Sequence, residues 1–480
     1  MRPETDYQGV QIRTDAVTGA AAASTVWRAE SVLFWMLLLT LAAMPLPSGS
    51  ARPWAWSLAA ILIGLSLFGY ALCLIFAGCR LALPLSRLRL PLLLIAAPIL
   101  WAFAQTIPIG QSGLAHPIWL SAGEVLGQPI SGRISVDPHA TATAVLRLFL
   151  YIGVFFLAVQ LCRNADRALQ ALNAIVAIGA SYAVYGLLVG AVWPEELSWL
   201  HRANYRGDLS STFVNRNAYA VFAGLGLVAA VALLAKLVHR PVVSSGSRRA
   251  MVTNLLRIAR TKAWAPAVAI VALSSAVLLT HSRGGFLATG IGVFVLLLCL
   301  MTATRLNRFG RRAMVALVIA GLVLSAILAG EAMHWRLGRT QAPVDERAAI
   351  SALVRQGIAD APLLGHGYGA FESAFQGYAD STLDGYVPNA HNDYLQLAFE
   401  LGLPAAAVMM LAFAAVVLRC VVGVYSRRRD IAYPALAVAA SALVGAHALV
   451  DSSLQIPAIA TLLAFILGLG YSQSWTTSYP

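Results

Sequence analysis

The feature that most constrains the fold is a series of apolar segments, most of about 18 residues or more and nearly free of charge. Segments of this length are typical of helices that cross a membrane rather than of helices in a soluble core. Charged residues make up 11% of the chain and hydrophobic residues 59%, whereas a soluble domain carries about 25% charged residues. The sequence therefore predicts an all-α polytopic membrane protein.

About twelve membrane-spanning helices are predicted from these segments. They cover residues 31–46, 54–78, 90–109, 142–162, 168–192, 214–238, 263–280, 284–303, 313–330, 395–420, 433–451 and 456–472. The tenth contains Gly402 and Pro404, so two alternatives stay open there. One is a single long span, and the other is a short interfacial helix over 392–401 followed by a span that starts near Leu403.

The positions of lysine and arginine predict the orientation. With both termini in the cytoplasm, 23 of the 34 basic residues fall in inner segments, as the positive-inside rule expects. The net charge of +13 is then a sign of topology, and no nucleic-acid partner is expected. The predicted parts are a cytoplasmic tail over 1–30, helices one to nine over 31–330, a long periplasmic loop over 331–391, helices ten to twelve over 392–472 and a cytoplasmic tail over 473–480.

Metal, nucleotide and disulfide chemistry find little support in the sequence. No HExxH, CxxC or Walker A pattern occurs, so no metal or cofactor is expected. The five cysteines lie within predicted spans or near their inner ends, and no disulfide framework is predicted.

The long outer loop contains the stretch VDERAAISALVRQGIADAPLLGHGYGAF. It predicts a helix with Asp345 as N-cap and with Pro362 beyond its end. Arg347 would lie in the first turn, where a cation opposes the helix dipole, so another group is expected to hold it. His366, in the glycine-rich part, either belongs to a turn or takes part in function.

Arginines on the predicted outer face are exceptions to the excess of basic residues expected on the cytoplasmic side. Arg283 stands in HSRGGFLA, and Arg216 stands between Asn215 and Asn217 in STFVNRNAYA. A guanidinium group binds phosphate oxygens in a fork, and neighbouring glycines let a ligand approach the backbone. The alternative is that each arginine reaches from a helix end to lipid headgroups.

A histidine stands at the entrance to the tenth span, in PNAHNDYLQLAFELGLPA. Asp393 with Gln396 fits a capping box, and Asn392 is a second possible cap. Neither explains His391, which as a neutral imidazole is suited to general-base work, unless it is simply structural.

A second histidine, His447, stands one helical turn before Asp451, near the outer end of the eleventh span. Ionisable groups at that depth are candidates for function. The alternative is a mutual hydrogen bond that holds the helix in place.

Four stretches carry a family resemblance: HNDYLQLAFELGLPA, the loop helix before it, HSRGGFLA and STFVNRNAYA. Together they resemble the bacterial O-antigen ligase and polymerase superfamily, over roughly residues 205–420. The resemblance implies a GT-C-like, inverting, metal-independent glycosyltransferase of the inner membrane with its active face in the periplasm. Its partners would be an undecaprenyl-pyrophosphate-linked glycan donor, a glycan or lipid A-core acceptor and membrane lipids.

The resemblance also implies roles for individual residues. His391 would be the base, and Arg283 and Arg347 would grip the pyrophosphate. Family members commonly read N-P-N where this chain has Asn215-Arg216-Asn217, so the chain departs from the family pattern at Arg216. The residues expected to contact substrate are Arg216, Asn215, Asn217, Asn392, Tyr394 and His366.

A second hypothesis is a polytopic transporter or flippase for a lipid-linked sugar. A transporter of this kind would also need arginines in a cavity, but its charged groups would lie near the middle of the bilayer.

Overall fold

A computed structural model describes residues 28–76, 78–110, 112–192, 208–239, 263–303, 342–381, 383, 385–427 and 429–476. The predicted ninth span, 313–330, and most of the predicted N-terminal tail lie outside the described residues. Within them, the only β pairing is one isolated bridge between Gly110 and Gly132.

The rest of the ordered structure is helical, and fifteen α-helices follow one another along the described chain, with four short 3-10 helices between them. They are α1 (28–43), α2 (Pro53–Phe76), α3 (Arg89–Gln105), α4 (Ile118–Leu126), α5 (Pro138–Leu161), α6 (Ala165–Val192), α7 (Arg216–His239), α8 (Trp264–Leu279), α9 (Arg283–Ala303), α10 (Ala342–Asp360), α11 (Phe371–Ala374), α12 (Asp393–Leu401), α13 (Leu403–Ser426), α14 (Ala432–His447) and α15 (Pro457–Gln473).

Six of these helices are long and apolar enough to cross a membrane: α2, α5, α6, α7, α9 and α13. Four shorter apolar helices, α3, α8, α14 and α15, lie among them. This agrees with the predicted polytopic helical membrane protein, whereas the count of twelve spans stays a prediction.

Helix α7 lies at the centre of the bundle. Its apolar stretch is wholly buried, and it packs against α6, α8, α9 and α14. Small residues allow this close packing, since a Cβ on Gly226 would lie 3.1 Å from Leu273. A helix that is apolar on every side suits burial as well as it suits lipid, and here it is buried.

The interrupted tenth span is two helices, so the second of the two alternatives is right. Gly402, between α12 and α13, has a φ of 77°, and a Cβ there would collide with the carbonyl of Leu363. Pro404 lies in the first turn of α13, where its missing N–H costs nothing. The nine-residue α12 is thus separate from the spanning helix.

Helices α10, α11 and α12 form a small lobe, residues 342–401, over one end of the bundle; we call that end the site end. Its core contains Val354, Phe371, Phe375 and Phe399. Gln105, at the end of α3, ties the lobe to the bundle by donating to the carbonyls of Leu364 (2.8 Å) and Glu400 (3.0 Å).

Two expectations about local structure are wrong. Helix α10 begins at Ala342, so Asp345 lies inside it and is not its N-cap, and Arg347 falls in the second turn. A disulfide joins Cys73 and Cys79 near the end of α2, because the chain turns back after the helix and brings the two residues together.

Candidate active site

A half-exposed histidine and a buried carboxylate form a pair at the site end. His391 Nδ1 lies 2.9 Å from Asp451 Oδ1, and the side chains are 36% and 10% exposed, respectively. A carboxylate accepts hydrogen bonds, so it favours the tautomer with the proton on Nδ1 and leaves Nε2 to accept a proton. The pair has the arrangement of a general base and its orienting group.

Asp451 is held in its charged form by its neighbours. Its backbone neighbour Ser452 donates to Oδ1 at 2.9 Å. Burial by itself would raise the pKa of Asp451, but the hydrogen bond and charge of His391, with the charges of His447 and Arg347, outweigh burial and hold it well below its usual range. A charged carboxylate there can stabilise a protonated His391.

Arg347 reaches the same loop from the lobe. Its Nη1 donates to the carbonyl of Val450 at 2.9 Å, and its Nη2 lies 4.0 Å from Asp451 Oδ2. The side chain is 41% exposed, so part of the guanidinium faces outward. The carbonyl of Val450 and the carboxylate of Asp451 are therefore the groups that hold Arg347.

Arg283 begins α9 beside this loop and is exposed. The glycine after it, Gly284, packs on α14, where a Cβ would lie 3.0 Å from Val450 and 3.5 Å from His447 Nε2. Ser282 caps the helix by accepting from the N–H of Gly285 at 3.1 Å. The glycines therefore serve close helix packing, and this packing places Arg283 next to the Asp451 loop.

His447 is buried at the end of α14. Its Nδ1 lies 2.8 Å from Ser453 Oγ, and its carbonyl accepts from the N–H of Asp451 at 3.0 Å. The side chains of His447 and Asp451 do not share the hydrogen bond that one alternative expected.

Arg216 is bound to an acid that the sequence analysis missed. Its Nη1 lies 2.5 Å from Asp208 Oδ2, and Asp208 Oδ1 lies 2.9 Å from His281 Nδ1. Asp208 is buried and neutralises much of the charge of Arg216. The position of His281 directly before the Ser282-Arg283 pair was the one signal that could have drawn attention to it.

The asparagines around these motifs have local structural contacts. Asn215 caps α7 by accepting from the N–H of Ala218 at 2.7 Å, while Asn217 is half-exposed in the first turn. Asn392 caps α12, accepting from Tyr394 N and Leu395 N at 3.1 and 3.0 Å.

Asn392 is therefore the cap, and the capping box of Asp393 and Gln396 is wrong. Gln396 Oε1 accepts instead from Ala390 N at 3.1 Å. The Tyr394 hydroxyl donates to the carbonyl of Gly445 at 2.9 Å, which ties α12 to α14. These contacts fix the turn that carries His391, whose φ of 50° is unusual for a residue with a side chain.

His366 lies in the core of the lobe. Its Nε2 lies 2.9 Å from the carbonyl of Gly357, and its ring packs 4.3 Å from that of Phe399. Burial lowers its pKa. A ring that is 2% exposed favours the structural alternative over contact with substrate.

The structure thus gathers His391, Arg347 and Arg283 around the loop that carries Asp451, at one end of a multi-pass helical membrane protein. A base with arginines beside it is the arrangement of a site that moves a proton next to an anion. A comparison with known protein families gives one match. Residues 268–410 match the family described as O-antigen ligase, which confirms the resemblance to the O-antigen ligase and polymerase superfamily. No curated protein matches the sequence.

Proposed function

We propose that the protein is a glycosyltransferase that moves a glycan from an undecaprenyl-pyrophosphate donor to an acceptor hydroxyl at the periplasmic face of the bacterial inner membrane. The observation that carries the proposal is the His391–Asp451 pair, with Arg347 on the same carboxylate. The family match over residues 268–410 takes in Arg283, Arg347 and His391 and supports the same chemistry.

In the proposed reaction, His391 Nε2 takes the proton of the acceptor hydroxyl as the oxygen attacks the anomeric carbon. The bond from that carbon to the pyrophosphate oxygen breaks, and the electron pair leaves with the lipid pyrophosphate. Attack opposite the leaving group inverts the configuration. General-base catalysis of this type contributes about 10²–10⁴-fold, and Asp451 stabilises the imidazolium that forms on His391.

The arginines would stabilise the negative charge that grows on the leaving pyrophosphate. A guanidinium presents fixed donors in a plane that matches phosphate oxygens. Arg283 and Arg347 approach the same loop from α9 and α10, respectively, so they can take this role without a metal ion. Because Asp208 binds Arg216, we assign Arg216 to the support of this face rather than to the phosphate itself.

Charge at the other end of the bundle supports the proposed orientation. Arg163 Nη1 donates to the carbonyls of Ser472 (2.6 Å) and Trp475 (2.9 Å), and Arg427 donates to that of Trp475 at 2.6 Å. The guanidinium of Arg419 lies 3.7 Å from the Trp475 ring centre. A cluster of arginines at this end is what the positive-inside rule expects of a cytoplasmic face.

The acceptor distinguishes a ligase from a polymerase, and the proposal covers both. The transporter hypothesis receives less support, because His391, Arg347 and Arg283 gather at one end of the bundle and not at its middle.

Activity in lipid nanodiscs tests the proposal. A nanodisc has no enclosed compartment, so a transporter cannot produce a signal there. The purified protein should convert a lipid-pyrophosphate glycan and a sugar acceptor into glycosylated acceptor plus one equivalent of free lipid pyrophosphate. Donor that is bound but left intact with every acceptor class would contradict the proposal.

A further inference from the structure

A second histidine–carboxylate pair lies at the site end. His281 Nδ1 lies 2.9 Å from Asp208 Oδ1, and His391 lies at the same distance from its own carboxylate. Both histidines have a left-handed backbone, with φ of 52° and 50°, respectively. The pairs differ in exposure, because the His281 side chain is 9% exposed and that of His391 is 36% exposed. The His281 pair is therefore suited to support rather than to proton transfer with an acceptor sugar.

The segment that carries Asp208 fixes its position. Residues 208–213 are buried and come shortly before α7. The backbone N–H of Leu209 donates to the carbonyl of Leu279, the last residue of α8, at 3.0 Å. Ser211 Oγ donates to a carbonyl of α6 at 2.9 Å. The carboxylate is thus held in place independently of the side chains that it binds.

Both carboxylate oxygens of Asp208 are engaged. Oδ1 faces His281 in the turn between α8 and α9. Oδ2 lies 2.5 Å from Nη1 of Arg216, the first residue of α7. The Asp208 side chain is 4% exposed, so water screens these two bonds little. One buried carboxylate therefore joins the start of α7 to the turn that leads into α9.

The turn between α8 and α9 is only three residues long, from Thr280 to Ser282. Its shape therefore decides where Arg283, the next residue, lies. His281 is the middle residue of the turn. A left-handed backbone is unfavourable for a residue with a side chain and persists where the surroundings hold it. The bond between His281 and Asp208 supplies such a hold.

Close packing transmits the shape of this turn to the site. A Cβ on Gly285 would collide with Ala220 in α7, and one on Gly284 would lie 3.0 Å from Val450 beside Asp451. The first turn of α9 is thus fitted between α7 and the loop of the base. A displacement of about 1 Å in a catalytic site can cost about 10²-fold in rate, so the direction in which α9 begins matters for its first residue.

We propose that Asp208 is a positioning residue, which through His281 sets the turn that aims Arg283 at the leaving pyrophosphate. The phosphate contact of Arg283 rests on the proposed function; the coupling of Asp208 to the start of α9 does not. Asp208 supports the arginine of the site in the way that Asp451 supports its base.

Binding of a polyprenyl pyrophosphate, the product of the proposed reaction, tests this coupling without turnover. The full-length protein in phosphatidylcholine nanodiscs is titrated with that lipid, and Kd is measured by microscale thermophoresis. Arg283→Lys and Asp208→Asn should each raise Kd about tenfold, because each costs the pyrophosphate about one charge-assisted hydrogen bond. The double variant should bind no more weakly than Arg283→Lys alone, since Asp208 acts through Arg283.

Two substitutions of His281 test the same bond from the other side. Asparagine adopts a left-handed backbone readily, and its amide nitrogen can donate from the position of the histidine Nδ1. His281→Asn should therefore keep the Kd of wild type. His281→Leu has no donor and should match Asp208→Asn. This comparison keeps the proposal testable even if Asp208→Asn folds poorly.

The transfer assay and a control variant separate positioning from stability. Asp208→Asn should lower kcat about tenfold while the KM for acceptor stays within about twofold, and its effect should multiply with that of Asp451→Asn, which acts on the base. Asp430→Asn is the matched control, because Asp430 pairs with Lys236 at the other end of α7. It should leave the Kd for the pyrophosphate unchanged.

The possible outcomes distinguish this inference from the proposed function. A Kd raised by Arg283→Lys but not by Asp208→Asn, or losses that multiply in the double variant, would overturn the positioning role and leave the proposed function standing. An unchanged Kd in Arg283→Lys would refute the phosphate contact itself and this inference with it. The full binding pattern in a protein without transferase activity would support the positioning role while the proposed function failed.

Discussion

Replacing Asp451 by asparagine should slow the reaction while leaving the fold in place. The side chain keeps its shape, but it loses the charge that faces His391 at 2.9 Å and Arg347 at 4.0 Å. An amide also has a donor nitrogen, and when that nitrogen faces His391 Nδ1 it selects the wrong tautomer. Both effects weaken the base, and neither touches the donor lipid.

The magnitude follows from the bond that is lost. A hydrogen bond to a charged group contributes about 1.5–3 kcal/mol, and one between neutral groups about 0.5–1.5 kcal/mol. Asp451 is only 10% exposed, so water screens the pair little. A loss of about 1–2 kcal/mol corresponds to a fall in kcat of roughly 5- to 30-fold, and tautomer selection adds to it.

The assay is initial-rate glycan transfer in nanodiscs at saturating donor and acceptor. We expect kcat to fall and the KM for donor to change by less than about twofold, because the arginines remain. Since Asp451 acts through His391, adding Asp451→Asn to a His391→Ala protein should cost nothing more. Wild-type kcat in Asp451→Asn, or an undiminished effect in the His391→Ala background, would refute the pairing as a functional unit.

Three further predictions concern other parts of the structure. Arg283→Lys should lose most transferase activity, because an ammonium group cannot copy the fork of a guanidinium; unchanged kcat would contradict a phosphate contact. Gly402→Ala should lower the unfolding temperature, since its φ of 77° and ψ of 160° lie in a region that is essentially restricted to glycine and costs another residue about 1–3 kcal/mol, whereas Gly290→Ala, with open space around it, should not. Asp393 has its pKa raised to about 8 by burial, so its contribution to stability is full at low pH and is lost as pH rises through 8, by about 1.4 kcal/mol per unit. Wild type should therefore lose stability relative to Asp393→Asn between pH 5 and 8 in thermal unfolding, and a constant difference would contradict the burial argument.

The apolar segments predicted most of the bundle because length and hydropathy are set by the membrane itself. They could not show that α7 is buried on all sides, since lipid and the protein interior favour the same side chains. The break at Gly402 and Pro404 could be located from the sequence, but only as one of two alternatives. The start of α10 at Ala342 was missed because a good capping residue, Asp345, lies three positions further along.

The candidate residues of the site could be named from the sequence, but the contacts between them could not. Arg283 and Arg347 could be singled out because charged side chains make up only 11% of this chain, and His391 because it is one of nine histidines. The pairing of His391 with Asp451 depends on how the loop after α14 folds over α12, which no local pattern records. Asp208 and His281 were missed for the same reason, since 73 residues separate these partners.

The most direct test of the central claim compares His391→Ala with His139→Ala in the nanodisc transfer assay. His139 is exposed at the start of α5, also at the site end, and serves as the matched control. With His391 as the base, its alanine variant should lose about 10²–10⁴-fold in kcat while still binding the lipid donor, and His139→Ala should match wild type. Glycan transfer at the wild-type rate by His391→Ala would contradict the account.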